Sequence, residues 1–138
     1  MSSDFCLAIH ALILLHRRDA TLSSDALAGS ICTNPARVRK VMAKLKKASL
    51  IQTREGSEGG YRFAGDPHQI TLDQIADALE VHFVCTNWHS GRNAADLDCM
   101  AASGMAGLMD EVLNDLDQRC RQRLHEQTLA DLEARLPH

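Results

Sequence analysis

Aromatic residues are scarce in this 138-residue chain: 4% of positions, with one tryptophan and one tyrosine. So few rings beside so many alanines and leucines favour helix-on-helix packing over a β-sandwich core. Long hydrophobic runs are also missing. No run exceeds five apolar residues, as in Ala11–Leu15, whereas a transmembrane helix needs roughly 18. The N-terminus has no basic segment and carries Asp4, which argues against a signal peptide, so the expected location is the cytoplasm, with no membrane partner. No CxxC and no zinc-finger spacing occur among the five cysteines, Cys6, Cys32, Cys85, Cys99 and Cys120. In a reducing compartment each thiol is then packing filler, a metal ligand or a redox sensor. Paired carboxylates, a nucleophile elbow and a phosphate loop are absent, and His10, His16, His68 and His125 are scattered. Nothing here predicts an enzyme, and no cofactor is expected.

The informative stretch is Ser24 to Phe63. Ser24 is the expected N-cap of a short helix over Asp25–Ile31. Cys32-Thr33-Asn34 breaks that helix, and Pro35 starts another at a first position that needs no N–H. Ala36 to Ala48 then places Val38, Val41, Met42 and Leu45 inward, with Arg37, Arg39, Lys40, Lys44, Lys46 and Lys47 covering much of the rest. Two short helices joined this way form a helix-turn-helix, whose second helix enters a DNA major groove. Ile51–Arg54 and Tyr61–Phe63 alternate like strands around Glu55-Gly56-Ser57-Glu58-Gly59-Gly60. That is a wing.

Charge points the same way. Residues 31–62 hold eight basic residues against two acidic ones, a local net of +6 in a chain whose total is −3, which leaves −9 elsewhere. A basic island in an acidic protein is the footprint of a nucleic-acid site. The candidate DNA contacts are Thr33, Asn34, Arg37, Arg39, Lys40, Lys44, Lys47, Arg54, Ser57 and Arg62.

Around this unit, Phe5–Arg17 reads as an amphipathic helix, and the Thr71–Gln74 capping pattern opens another through Glu80. Residues 82–93 read as an irregular connector. From about Ala94 to Cys120, apolar residues including Met105, Leu108, Val112 and Leu116 recur at three- and four-residue steps, the mark of a helix with one broad apolar face. No partner for that face is evident within the chain, so a second copy is expected to cover it. Thr128 begins a short terminal helix. The expected fold is mainly α with a small β wing: a winged helix-turn-helix domain over 1–80, a connector over 81–93, and a dimerisation helix with a terminal helix over 94–138.

Eight blocks now fall in order: Leu7–Leu12, Leu27-Ala28, Thr33-Asn34-Pro35, Val38-Arg39-Lys40, Lys44–Ala48, Gly59-Gly60-Tyr61, Ile70-Thr71-Leu72 and Leu129–Leu132. Together they resemble the Rrf2 family of bacterial winged-helix transcription regulators, over essentially the whole chain. The resemblance implies a homodimer on a palindromic promoter element of double-stranded DNA, usually acting as a repressor. Two departures stand out. Wings of this family usually carry arginine immediately before the wing glycine, where this chain has Glu55, with Arg54 one residue earlier. Iron–sulfur members carry three closely spaced cysteines after the fifth helix, whereas here Cys85 and Cys99 stand with thirteen residues between them. The family's cluster site does not carry over, and Cys85, Cys99, His82 and His89 remain as the alternative metal-sensing set.

Clusterless members include thiol switches, which points to the cysteines. Cys32 precedes the recognition helix, whose N-terminus, with Arg37 and Arg39 nearby, favours the reactive thiolate form. Cys99 beside Asp96 and Asp98 suits a resolving thiol. Cys32–Cys99 between subunits is the expected disulfide, with Cys85–Cys99 within one chain as the alternative. Cys6 and Cys120 fall on helical faces and are expected to be packing residues.

Overall fold

The structure, a computed structural model, describes residues 3–84 and 104–137. Cys85, His89, Cys99 and the first part of the expected dimerisation helix, 94–103, lie outside the described residues. The elements run α1 (Asp4–Arg18), α2 (Ser24–Ile31), α3 (Pro35–Lys47), β1 (Ile51–Arg54), β2 (Gly60–Phe63), α4 (Leu72–Ala78), α5 (Met105–His125) and α6 (Leu129–Ala134). This is a winged helix.

Helix α1 is the hub. Phe5, Leu7, Ala8, Ala11, Leu12, Ile13 and Leu15 are buried, a stripe too broad for one neighbour. It packs against α2, α3, α4, α6 and β2. Helix α2 starts one residue earlier than Ser24 suggests as a cap: the Ser23 hydroxyl accepts from the Ala26 N–H at 3.1 Å, and Ser24 is its first helical residue. Cys32 ends α2 in the left-handed conformation, φ 63°. Helix α3 begins at Pro35 and closes at Lys47, shifted by one residue from the span 36–48. Asn34 caps it, its Oδ1 accepting from the Arg37 N–H at 2.8 Å. Val38, Val41, Met42 and Leu45 are each at most 1% exposed, so one face of α3 is spent on the core.

The hairpin pairs Ile51 with Phe63, Gln52 with Arg62, Thr53 with Tyr61 and Arg54 with Gly60. Leu22 adds a third edge, exchanging backbone hydrogen bonds of 2.9 and 2.8 Å with Tyr61. That close approach requires glycine at position 60: a Cβ there would lie 2.3 Å from the Leu22 carbonyl oxygen.

Thr71 and Gln74 form the capping box of α4, which ends at Ala78 rather than reaching Glu80. Helix α5 differs from the expected Ala94–Cys120 span at both ends. Gly104, left-handed at φ 72°, stands before Met105, and the helix continues to His125. Met105, Leu108, Val112 and Leu116 are 44–55% exposed along it. Cys6 and Cys120, expected as packing residues, are respectively exposed and half-buried, because α1 and α5 turn other side chains inward.

Two features hold the C-terminal part to the core. Helix α6 docks on α1 and on the segment leading into α4: Leu129 is fully buried, and its N–H donates to the Ile70 carbonyl at 2.8 Å. The Arg17 guanidinium donates to the carbonyls of Pro137, Leu136 and Glu133 at the end of α6. On α5, Asp117 is the one buried polar or charged residue among the described residues. It accepts from the N–H groups of Phe83 (2.7 Å) and Val84 (3.0 Å), and Arg121 lies 3.4 Å from its other oxygen. Arg121 also reaches Asp77 and the Val81 carbonyl. Burial alone would raise the Asp117 carboxyl pKa, but the donors from Val84, Phe83, His82 and Arg121 outweigh it and hold it below the ordinary value. This cluster clamps the exit of α4 onto α5.

Candidate nucleic-acid interface

With four apolar side chains turned inward, the opposite arc of α3 must face solvent. Ala36, Arg39, Lys40, Ala43, Lys46 and Lys47 are exposed, and Lys44 is half-buried. The spacing of 3.6 residues per turn puts Ala36, Lys40, Ala43 and Lys47 near the centre of this arc, with Arg39 and Lys46 on one flank and Arg37 and Lys44 on the other. Small residues at the centre let a helix approach base edges closely, and alanine can contact a thymine methyl. Ala36 and Ala43 were not among the sequence candidates. The signal was available, since plotting α3 on a helical wheel places them opposite Val38, Val41, Met42 and Leu45.

The three lysines in or near the last turn, Lys44, Lys46 and Lys47, complement the negative end of the helix dipole. Beside them β1 packs on α3, and Arg54, Glu55, Ser57 and Glu58 of the wing are exposed. The candidates do not all stand free. Asn34 spends its side-chain oxygen on the α3 cap, and Thr33 is half-buried. The Arg37 guanidinium is drawn to α1, with Asp4 at 3.0 Å and Ser3 also in contact. Arg62 is paired with Asp19 at 3.0 Å. Arg39 lies 3.4 Å from the Ser24 hydroxyl.

Cys32 is exposed in the turn between α2 and α3. Of the candidate metal ligands only His82 is described, and its Nδ1 faces the Asp117 carboxylate at 3.5 Å. No group of three or more His, Cys, Asp or Glu side chains that could hold a metal ion occurs among the described residues. With two cysteines where a cluster needs three close together, the donor set does not fit the family's iron–sulfur group. No helix among the described residues is long and apolar enough to cross a membrane.

Comparison with known proteins agrees with this architecture. The profile of one family, described as "Rrf2: Iron-dependent Transcriptional regulator", matches residues 1–135. YwnA of Bacillus subtilis, described as an HTH-type transcriptional regulator, is 27% identical over 132 residues, 96% of each chain. The crystal structure of a transcriptional regulator from Lactobacillus plantarum superposes with a TM-score of 0.81 at 26% identity, covering 97% of this chain and 89% of that one. CymR, the global cysteine regulator of B. subtilis, shares the fold at a TM-score of 0.70 and 18% identity, over 99% and 98% of the two chains.

Proposed function

The chain belongs to the Rrf2 family of transcriptional regulators, and from that premise we propose that it is a homodimeric repressor that reads a palindromic operator and responds to oxidants through its cysteines. One observation carries the reading. Helix α3 is buried on its apolar side and presents a cationic arc with small central residues, flanked by an exposed wing. On this reading Arg39, Lys40 and Arg37 near its start contact bases, and Lys44, Lys46, Lys47, Arg54 and Arg62 contact phosphates, Arg37 and Arg62 after leaving Asp4 and Asp19.

The dimer is supported by α5. Met105, Leu108, Val112 and Leu116 form one apolar stripe that is about half exposed, and a second copy would cover it. Two heads on such an axis read half-sites roughly 34 Å apart, which is why the operator is taken as an inverted repeat. The repressor sense follows the family resemblance. For the thiol response, Cys32 is exposed beside α3, while Cys99 and Cys85, its expected partner and the alternative, lie outside the described residues.

Selection of bound duplexes from a random pool tests the reading. An enriched inverted repeat, bound by a dimer in sedimentation, is the expected result. Enrichment of no sequence, or a single site bound by a monomer, refutes it.

A further inference from the structure

We propose that Cys6 and Cys32 form a redox pair within one subunit, whose closure locks Arg37 away from DNA. A cavity of about 210 Å³ opens between α1 and the α2–α3 turn, and its walls include Cys6, His10, Cys32, Thr33 and Arg37. Both thiols are exposed. Cys6 and His10 are four residues apart and so share one face of α1. Cys32 enters from the opposite wall at φ 63°, a conformation that a β-carbon disfavours and that glycine or asparagine usually fills.

The chemistry closes with a hydroperoxide as oxidant. One thiol loses its proton, for which the His10 imidazole is an acceptor in the same cavity, and its sulfur attacks the peroxide. The O–O bond breaks, leaving a sulfenic acid and an alkoxide that takes the proton back from His10 to become an alcohol. The second sulfur attacks the sulfenic sulfur, the S–O bond breaks and water departs. Two thiols have then given two electrons to one hydroperoxide. The bridge requires Cα atoms within about 7 Å of each other, so closure holds the α2–α3 turn against α1.

The consequence lies next door. Arg37 is paired with Asp4 at 3.0 Å and touches Ser3, on the same end of α1 as Cys6. In the reduced protein Arg37 can leave its partly exposed pair with Asp4 and turn toward a base, the α2–α3 turn being free to adjust. A Cys6–Cys32 bond removes that freedom and fixes Thr33, Asn34 and Arg37 in the docked arrangement. Oxidation should weaken specific DNA binding by about tenfold or more, the worth of one to two good base contacts. This last step rests on the DNA-binding reading, whereas the disulfide itself does not.

The experiment is tryptic mapping of the full-length protein after cumene hydroperoxide treatment and alkylation, without reduction, with duplex binding measured in parallel. The expected product is a monomer on non-reducing gels in which peptide 1–17, holding Cys6, is joined to peptide 19–37, holding Cys32. Cys6→Ser should abolish this linkage and retain DNA affinity after oxidation. A covalent dimer joining peptide 19–37 to peptide 93–119, which holds Cys99, overturns the proposal. So does oxidised Cys6→Ser that loses DNA as wild type does. Reduced wild type that binds no duplex refutes the DNA-binding reading instead, and the peptide map still decides the disulfide.

Discussion

Replacing Asp117 by asparagine removes one charge while keeping shape. The wild-type carboxylate accepts two backbone N–H groups at 2.7 and 3.0 Å and faces Arg121 at 3.4 Å. Hydrogen bonds involving a charged group contribute about 1.5–3 kcal/mol each. Asparagine keeps one oxygen for the two N–H groups but sets an amide against the guanidinium, leaving Arg121 with Asp77 and the Val81 carbonyl alone. The expected cost is about 2–3 kcal/mol, since breaking a buried pair strands the partner charge. In a chain of this length that lowers Tm by roughly 6–12 °C.

The pH dependence sharpens the test. The Asp117 carboxyl is held below its ordinary pKa in the folded protein, its hydrogen-bond donors outweighing the effect of burial. Its contribution to stability is therefore complete above the unfolded value, about pH 4, and is lost as pH falls through the folded value. The gap between wild type and Asp117→Asn should be full at pH 7 and narrow below about pH 4, where the wild-type carboxyl also becomes neutral. Thermal unfolding followed by circular dichroism, at one protein concentration because self-association would make Tm depend on it, measures both. A variant with wild-type Tm at pH 7, or a gap that persists unchanged at pH 3, refutes the reasoning.

Three further perturbations address other parts. Lys44→Ala should weaken binding to all duplexes and lower the salt slope by about one phosphate contact; a salt titration that leaves slope and affinity unchanged removes its assigned role. Leu108→Glu with Val112→Glu should give monomers in sedimentation that bind DNA weakly, because both side chains lie on the exposed apolar stripe; a dimer of wild-type strength would place the interface elsewhere. Gly60→Ala should cost about 2 kcal/mol or more through a clash of the new side chain with backbone, as the added Cβ falls 2.3 Å from the Leu22 oxygen; an unchanged melting curve would show that this edge relaxes freely.

What could be read from the residues in advance depended on how local the signal was. Helix α3 was legible because Pro35, Asn34 and the spacing of Val38, Val41, Met42 and Leu45 all act within one helix. The hairpin was legible from its glycines and alternating strands. The Leu22–Tyr61 pairing was not, because Leu22 is a lone extended residue whose partner lies 39 positions away in the chain. The docking of α6 on α1 was also missed. Its evidence, Leu129 in the core and Arg17 capping the last carbonyls, joins residues over 110 positions apart. Asp117 reads on the sequence as one more solvated acid on a charged helix. Only tertiary packing brings Phe83 and Val84 to it. Charge density located the candidate interface, but it could not say which cations are already occupied.

That occupancy bears on specificity. Arg37 and Arg62, both candidate DNA contacts, each start from an ion pair with an acid outside the helix-turn-helix, Asp4 on α1 and Asp19 at its end. Ion pairs this exposed are worth about 0–1 kcal/mol. A well-placed arginine on a guanine gains about 1–3 kcal/mol over a wrong base. The correct operator can therefore outbid Asp4 for Arg37, whereas a wrong base gains too little over the existing pair. The same acids place negative charge beside the cationic arc, which lowers the attraction to any phosphate backbone. Asp4→Asn should then raise affinity for random duplex more than for the selected operator, narrowing the ratio between them. Filter binding of both duplexes at one salt concentration measures that ratio. A ratio that stays constant or widens would show that Asp4 holds Arg37 for folding alone.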